Sequence, residues 1–205
     1  MSEPILSKHD APDGPRALIL MLHGGKDRSS AAVDGRSLSW QRSLFMQRAI
    51  TSEAHQEGIS VWLLRYRQRG WNGGRDRIAD ARWALDQARA EHPDIPFTLL
   101  GHSMGARVAV HVADDPQIEG VVGLAPWLPG GENINALRGR HLVVAHGRRD
   151  RITSFKATAA YVERAGAVAA SAEMRDMGPV GHYMLKGADA WNEVALSASL
   201  GVLAR

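Results

Sequence analysis

The sequence predicts an α/β protein, with a mostly parallel central sheet and helices on both faces. Three observations lead there. Short, nearly continuous apolar runs recur along the chain, each closed by a glycine, a proline or a charged residue. Segments of ten or more residues with helical spacing separate them. The chain also has 205 residues, 44% of them hydrophobic and 23% charged, which suits an ordinary globular protein of about one domain. Strands buried on both faces lose the polar–apolar alternation of half-exposed strands, and their alternation with helices favours parallel pairing through right-handed crossovers. The whole chain, 1–205, reads as a single domain without internal repeat, low-complexity tract or linker.

The first central strand is Ala17–Leu22, an unbroken apolar run that ends in His23-Gly24-Gly25. A helix over Leu38 to Glu57 follows, then a strand over Ile59–Leu64. The clearest helix is Arg75–Glu91, where Ile78, Ala81, Ala84 or Leu85, and Ala88 recur at helical spacing beneath a face rich in Arg and Asp. Phe97–Leu100 is the next strand, followed by a small-residue helix over Ala106–Ala113. Ile118–Leu124 and His141–Ala145 read as two further strands, Phe155–Arg164 as a helix, and Ala170–Met177 as the last strand, with a closing helix over Ala188–Leu203. The 21 glycines and 9 prolines fall mainly in the connections between these elements.

Composition excludes several kinds of chemistry. With no cysteine, disulfides, thiolate metal sites and a thiol nucleophile are impossible. No metal-ligand cluster is visible, and no cofactor is expected. The 25 basic and 22 acidic residues leave a formal charge of +3. The surplus concentrates in Arg65, Arg67, Arg69, Arg75 and Arg77 and again in Arg148, Arg149 and Arg151, which could attract anions but read first as a solvated, salt-bridged surface. No nucleic-acid motif accompanies them. Met1–Asp10 lacks the basic and apolar regions of a signal peptide, and Ala17–Leu22 is far shorter than the roughly 20 residues that span a bilayer. The expectation is a soluble, cytoplasmic protein with no nucleic-acid or membrane partner.

The chemistry-bearing segment is Phe97-Thr-Leu-Leu-Gly101-His102-Ser103-Met104-Gly105-Ala106. An apolar strand runs into Gly-x-Ser-x-Gly and straight into a helix, the context that a nucleophile elbow requires. Glycines at 101 and 105 let a strained turn pack against its neighbours, and the helix N-terminus favours negative charge developing near Ser103. On these residues the chain resembles the α/β-hydrolase superfamily, from about Arg16 to its end, in a small, capless form. The resemblance implies a Ser, Asp, His order. It assigns the acid to Asp150, just past His141–Ala145, and the base to His182, in the Gly-rich loop after the last strand. Asp176 is the rival acid; Leu124-Ala-Pro-Trp-Leu128 offers no carboxylate before Glu132. His182 would take the Ser103 proton and Asp150 would fix its tautomer. The oxyanion hole would combine the backbone N–H groups of Met104 and Gly25. His23 is expected to orient its loop, and His102 to pack beside the elbow.

The resemblance also bears on substrate. About 16 residues separate the strand ending at Leu124 from the one beginning at His141, too few for a cap domain, so the site is expected to be open. Trp71, Trp127 and Leu128 follow strands at the edge where such sheets bind ligands and are expected to wall the pocket. Arg65, Arg67 and Arg69 leave the same edge and could select a carboxylate-bearing substrate. The function implied is a serine hydrolase that cleaves carboxylic esters or related acyl substrates, of small-molecule size, through an acyl-enzyme on Ser103. A thioesterase or acyltransferase acting on carrier- or coenzyme A-bound acyl groups is the alternative. A non-catalytic binding protein on the same scaffold is disfavoured by the intact Ser, Asp and His set.

Overall fold

A computed structural model describes residues 3–205. Residues 1–2, part of the N-terminal segment read above as lacking a signal peptide, lie outside the described residues. The strands are β1 (Ile5–His9), β2 (Ala17–Leu22), β3 (Ile59–Arg65), β4 (Phe97–His102), β5 (Ile118–Leu124), β6 (His141–His146) and β7 (Ser171–Asp176). The helices are α1 (Leu38–Gln56), α2 (Arg75–Glu91), α3 (Met104–Val112), α4 (Phe155–Ala165) and α5 (Ala188–Leu203). All the strands join in one sheet of order β1-β3-β2-β4-β5-β6-β7. The pairings from β3 to β7 are parallel.

The departure from the sequence reading is β1, which pairs antiparallel with β3, Ile5 opposite Arg65 and His9 opposite Val61. Its sequence, Ile-Leu-Ser-Lys-His, is too polar and too short to announce itself, as befits an edge strand. Tertiary contacts hold it. The buried Gln47 side chain of α1 donates to the backbone carbonyls of Ser7 (2.9 Å) and Val61 (3.0 Å) and accepts from the Ser7 hydroxyl (3.0 Å).

The central strands behave as their composition demands. Every residue of β2 and β4 is buried, so each must be covered by helices on both faces. The chain moves one way from β2 to β3 and the other way from β3 onward, and right-handed crossovers then place α1 opposite α2, α3 and α4. α1 packs with α5, and α2 with α3. The reversal opens a crevice between the carboxyl ends of β2 and β4, the place where such sheets bind ligands. Residues 125–140, between β5 and β6, hold only a short 3-10 turn at Asn135–Leu137, so no cap covers this edge. Among the described residues no helix is long and apolar enough to cross a membrane.

The first arginine cluster is less solvated than its composition suggests. Arg77 is 1% exposed; it pairs with the buried Asp80 (3.2 Å) and donates to the carbonyls of Gln68 (3.0 Å) and Gly70 (3.1 Å). Asp80 also binds Arg67 (2.5 Å), and Arg69 binds Asp34 (2.9 Å). Arg67 and Arg77 thus knit the loop after β3 to α2, and Arg69 ties the same loop to the segment before α1.

α3 lies close to the sheet. A Cβ on Gly105 would fall inside the van der Waals envelope of the Leu22 carbonyl, and one on Gly101 would strike the backbone of Ala106. Gly105→Ala should therefore cost about 3 kcal/mol of stability or more, read as a lower denaturation midpoint; an unchanged midpoint would show that the approach is not tight.

Candidate active site

The turn from β4 into α3 carries Ser103 at φ +52°, ψ −114°, a conformation that costs a non-glycine residue about 1–3 kcal/mol. The turn is clamped from both sides. The Ser103 amide donates to the Leu124 carbonyl (3.0 Å), and the Ser103 carbonyl accepts from the Trp127 amide (3.1 Å). The hydroxyl is thereby lifted out of the strand direction at the N-terminus of α3.

Three sequence-predicted residues meet there. His182, in the loop after β7, is hydrogen-bonded through Nε2 to Ser103 Oγ (2.9 Å) and through Nδ1 to Asp150 Oδ2 (2.8 Å). Asp150 lies on the turn between β6 and α4, and its side chain is fully buried. A buried charge needs compensation, and here it is extensive. Oδ1 accepts from the amides of Ile152 (2.8 Å) and Thr153 (2.9 Å). Oδ2 accepts from the Thr153 hydroxyl (2.8 Å) and from His146 Nε2 (3.1 Å) in addition to His182. Burial works to raise the carboxyl, but hydrogen bonds from His146, His182 and the two amides outweigh it and hold Asp150 well below the usual carboxylate range. The rival Asp176 turns away, pairing with Arg148 (2.5 Å) and accepting from the Gly178 amide (2.8 Å).

His146 and Thr153 are hydrogen-bond partners of Asp150 that the sequence reading missed. His146 ends β6, buried, with Nδ1 accepting from the Thr158 hydroxyl (2.9 Å), which leaves Nε2–H to face Asp150. Their signal was local: a histidine four residues before the acid and a threonine three after it.

Gly24 and Gly25 flank the elbow on the β2 side. A Cβ on Gly24 would come within 3.4 Å of Ser103 Cβ, and one on Gly25 would collide with the Met104 side chain. The amides of Gly25 and Met104 have no hydrogen-bond partner among the described residues. His23 and His102 are buried supports. The Tyr66 amide donates to His23 Nε2 (3.3 Å), and His23 Nδ1–H points to the Gly24 carbonyl (2.6 Å). His102 Nε2–H donates to the His182 carbonyl (3.2 Å).

A cleft of about 400 Å³ opens beside Ser103 and His182, lined by residues of α1, of the Gly24–Gly25 loop and of the His182 loop. The expected wall of Trp71, Trp127 and Leu128 does not line it. Leu128 is 3% exposed in the core. Trp71 and Trp127 sandwich the Arg107 guanidinium, 4.3 and 4.5 Å from the ring centroids, and Arg107 in turn pairs with Glu132. Cation–π stacking on Arg107 of α3 holds the two indoles off the cleft. Arg65, Arg67 and Arg69 do not line it either.

The buried imidazoles make the protein acid-sensitive. Burial pushes His23 down to about 4 and His102 to about 3, the latter helped by the neighbouring His182. Unfolded, both would protonate near the ordinary histidine value of 6.5. Stability is therefore complete above that pH and falls as pH drops toward the folded values, because the unfolded chain binds protons that the folded one refuses. Lowering the pH from 7 to 5 should cost about 2 kcal/mol per histidine and lower Tm by about 10 °C; thermal melts at the two pH values that coincide would refute this. Asp150 contributes nothing to that window, since its share of stability is lost only below the ordinary Asp pKa of 3.8.

A family model described as serine aminopeptidase, S33, matches residues 57–142, which include Ser103 but end before Asp150 and His182. No curated protein matches the chain significantly. Solved structures match along nearly its whole length. A lidless α/β serine hydrolase from Xanthomonas campestris is 18% identical with a TM-score of 0.74, covering 98% of this chain and 89% of that one. Esterase 2 of Thermogutta terrifontis, phosphonylated by cyclosarin, is 16% identical with a TM-score of 0.74, covering 100% and 92%. Est1E of Butyrivibrio proteoclasticus, bound to ferulic acid, is 11% identical with a TM-score of 0.72, covering 98% and 96%. The chain has the α/β-hydrolase fold, without a lid over the carboxyl edge of its sheet.

Proposed function

We propose that this protein is a carboxylic ester hydrolase that works through an acyl-enzyme on Ser103, with His182 as general base and acid and Asp150 as the orienting carboxylate. The observation that carries this reading is the unbroken hydrogen-bonded chain from Ser103 Oγ through His182 to the buried Asp150, set at the mouth of a cleft on a strained turn. As Oγ adds to the ester carbonyl, His182 Nε2 takes its proton. Asp150, kept ionised by its hydrogen bonds, stabilises the imidazolium that forms. The developing oxyanion is held by the free amides of Gly25 and Met104 and by the N-terminus of α3. Collapse expels the alcohol, which leaves with the proton from His182. Water then repeats the sequence on the acyl-enzyme and releases the acid.

Ester chemistry is favoured over aminopeptidase chemistry by the charge of the cleft. An aminopeptidase must bind a free α-ammonium group. The lining residues include no Asp or Glu, and the charged side chain among them is the cationic Arg42. The similarity to an esterase that was trapped with a phosphorus electrophile supports the same reading.

Fluorophosphonate labelling with mass mapping tests it: wild type should take one label, on Ser103, and Ser103→Ala none. Label on another residue, or none, would sink the proposal. Comparison of p-nitrophenyl acetate with an acyl-coenzyme A separates ester from thioester hydrolysis. Asp150→Asn should lower kcat by about 10⁴-fold, as loss of the orienting carboxylate does in other triads; turnover close to wild type would remove Asp150 from the mechanism. Ser103→Gly, by relieving φ +52°, should abolish turnover while raising stability by about 1 kcal/mol, measured by denaturant melting.

A further inference from the structure

We propose that the Ser103 cleft and its rim form a subsite for a neutral, apolar chain of the ester substrate, several carbons longer than acetyl. This rests on the ester-hydrolase reading above. Large apolar side chains exposed one at a time are ordinary, whereas their convergence marks a binding surface. Among the described residues six such side chains are exposed: Ile5, Leu38, Phe45, Ile152, Tyr183 and Leu185. Four of them, Leu38, Phe45, Tyr183 and Leu185, line this one cleft, with exposures of 60–86%.

The rim has two walls. Leu38 and Phe45 lie seven residues apart on α1, and so share a face of the helix. Tyr183 and Leu185 come from the histidine loop, on either side of Met184, whose side chain is 2% exposed and whose φ is +54°. Arg42, on the same side of α1, ties the walls together: its Nε donates to the Tyr183 carbonyl (3.2 Å) and its Nη2 to the Met184 carbonyl (2.7 Å). The separation is thus set before substrate arrives, and little ordering cost opposes binding. A cleft of about 400 Å³ lies within the usual range for small organic ligands and far exceeds an acetyl group.

The substrate's neutrality follows from how the arginines are used. The Arg42 guanidinium is turned to two backbone carbonyls, while Arg67 and Arg69 are bound to Asp80 and Asp34. A second carboxylate on the substrate would enter a largely apolar cleft whose one lining cation, Arg42, already donates to two backbone carbonyls, so its desolvation would be compensated only in part.

The test uses p-nitrophenyl acetate, butyrate, hexanoate and octanoate together with the monosuccinate half-ester, on wild type and on Phe45→Ser/Leu185→Ser, with active enzyme counted by fluorophosphonate labelling of Ser103. Four added methylenes, each worth roughly two- to fourfold on a partly open surface, should raise kcat/KM about 30-fold from acetate to hexanoate. The double variant should cut the hexanoate-to-acetate ratio about tenfold with little change in Tm, since both side chains are exposed. A flat chain-length profile, a half-ester preferred over the butyrate, or a double variant that keeps the wild-type ratio would each overturn the proposal. Enzyme that takes no label overturns the hydrolase reading and this one with it, whereas labelled enzyme with a flat profile overturns this one alone.

Discussion

The close approach of α3 to the end of β2 is the constraint on which the rest of the site depends. The helix can begin where it does only because positions 101 and 105 carry no side chain to meet Ala106 and the Leu22 carbonyl. That approach forces Ser103 to φ +52° and brings Met104 beside Gly25. It therefore fixes the hydroxyl, two free amides and the positive end of a helix dipole relative to one another in a single packing event. The energy stored in the turn is supplied by the buried sheet beside it, since Ser103 is bonded to Leu124 at the end of β5 and to Trp127 just after it.

The second half of the site answers an electrostatic problem instead of a steric one. Asp150 is a fully buried carboxylate, and a lone histidine would not compensate it. Two amides, a hydroxyl and His146 share the task. This surplus has a consequence for proton transfer. In the mechanism proposed above, Asp150, its charge already stabilised by these other donors, would stay ionised beside His182 instead of taking the imidazole proton. The buried neutral histidines, His23 and His102, serve the opposite end: one orders the glycine loop after β2, the other holds the backbone of His182.

Much of this was legible in the sequence, and the reasons divide by length scale. The central strands and helices were legible because strands buried on both faces must be apolar throughout, and Gly-x-Ser-x-Gly between strand and helix is a local steric signature. Asp150 and His182 followed from order along the chain in a resembling family. The edge strand β1 was not legible, because Ile5–His9 owes its pairing to Gln47 and β3, remote in sequence. Trp71 and Trp127 were misplaced for a related reason. Position after a strand puts a residue on the correct edge of the sheet, but only tertiary structure reveals that Arg107 lies between the two rings. The same holds for Arg77, which the sequence offers as one basic residue in a surface cluster and the fold buries against Asp80.

The missing cap and the apolar rim are two sides of one arrangement. For the reaction proposed, a lidless site would let water reach Ser103 from the open side, so desolvation of the reacting carbonyl would have to come from the substrate itself and from the walls beside it. Residues 125–140 are too few to fold over the edge, and the walls instead come from α1 and the histidine loop, joined by Arg42. A group bound between those walls lies directly against the loop that carries His182. If an apolar chain binds there as proposed, its binding energy would act on the position of His182, which is how contacts remote from the scissile bond raise kcat as well as lower KM.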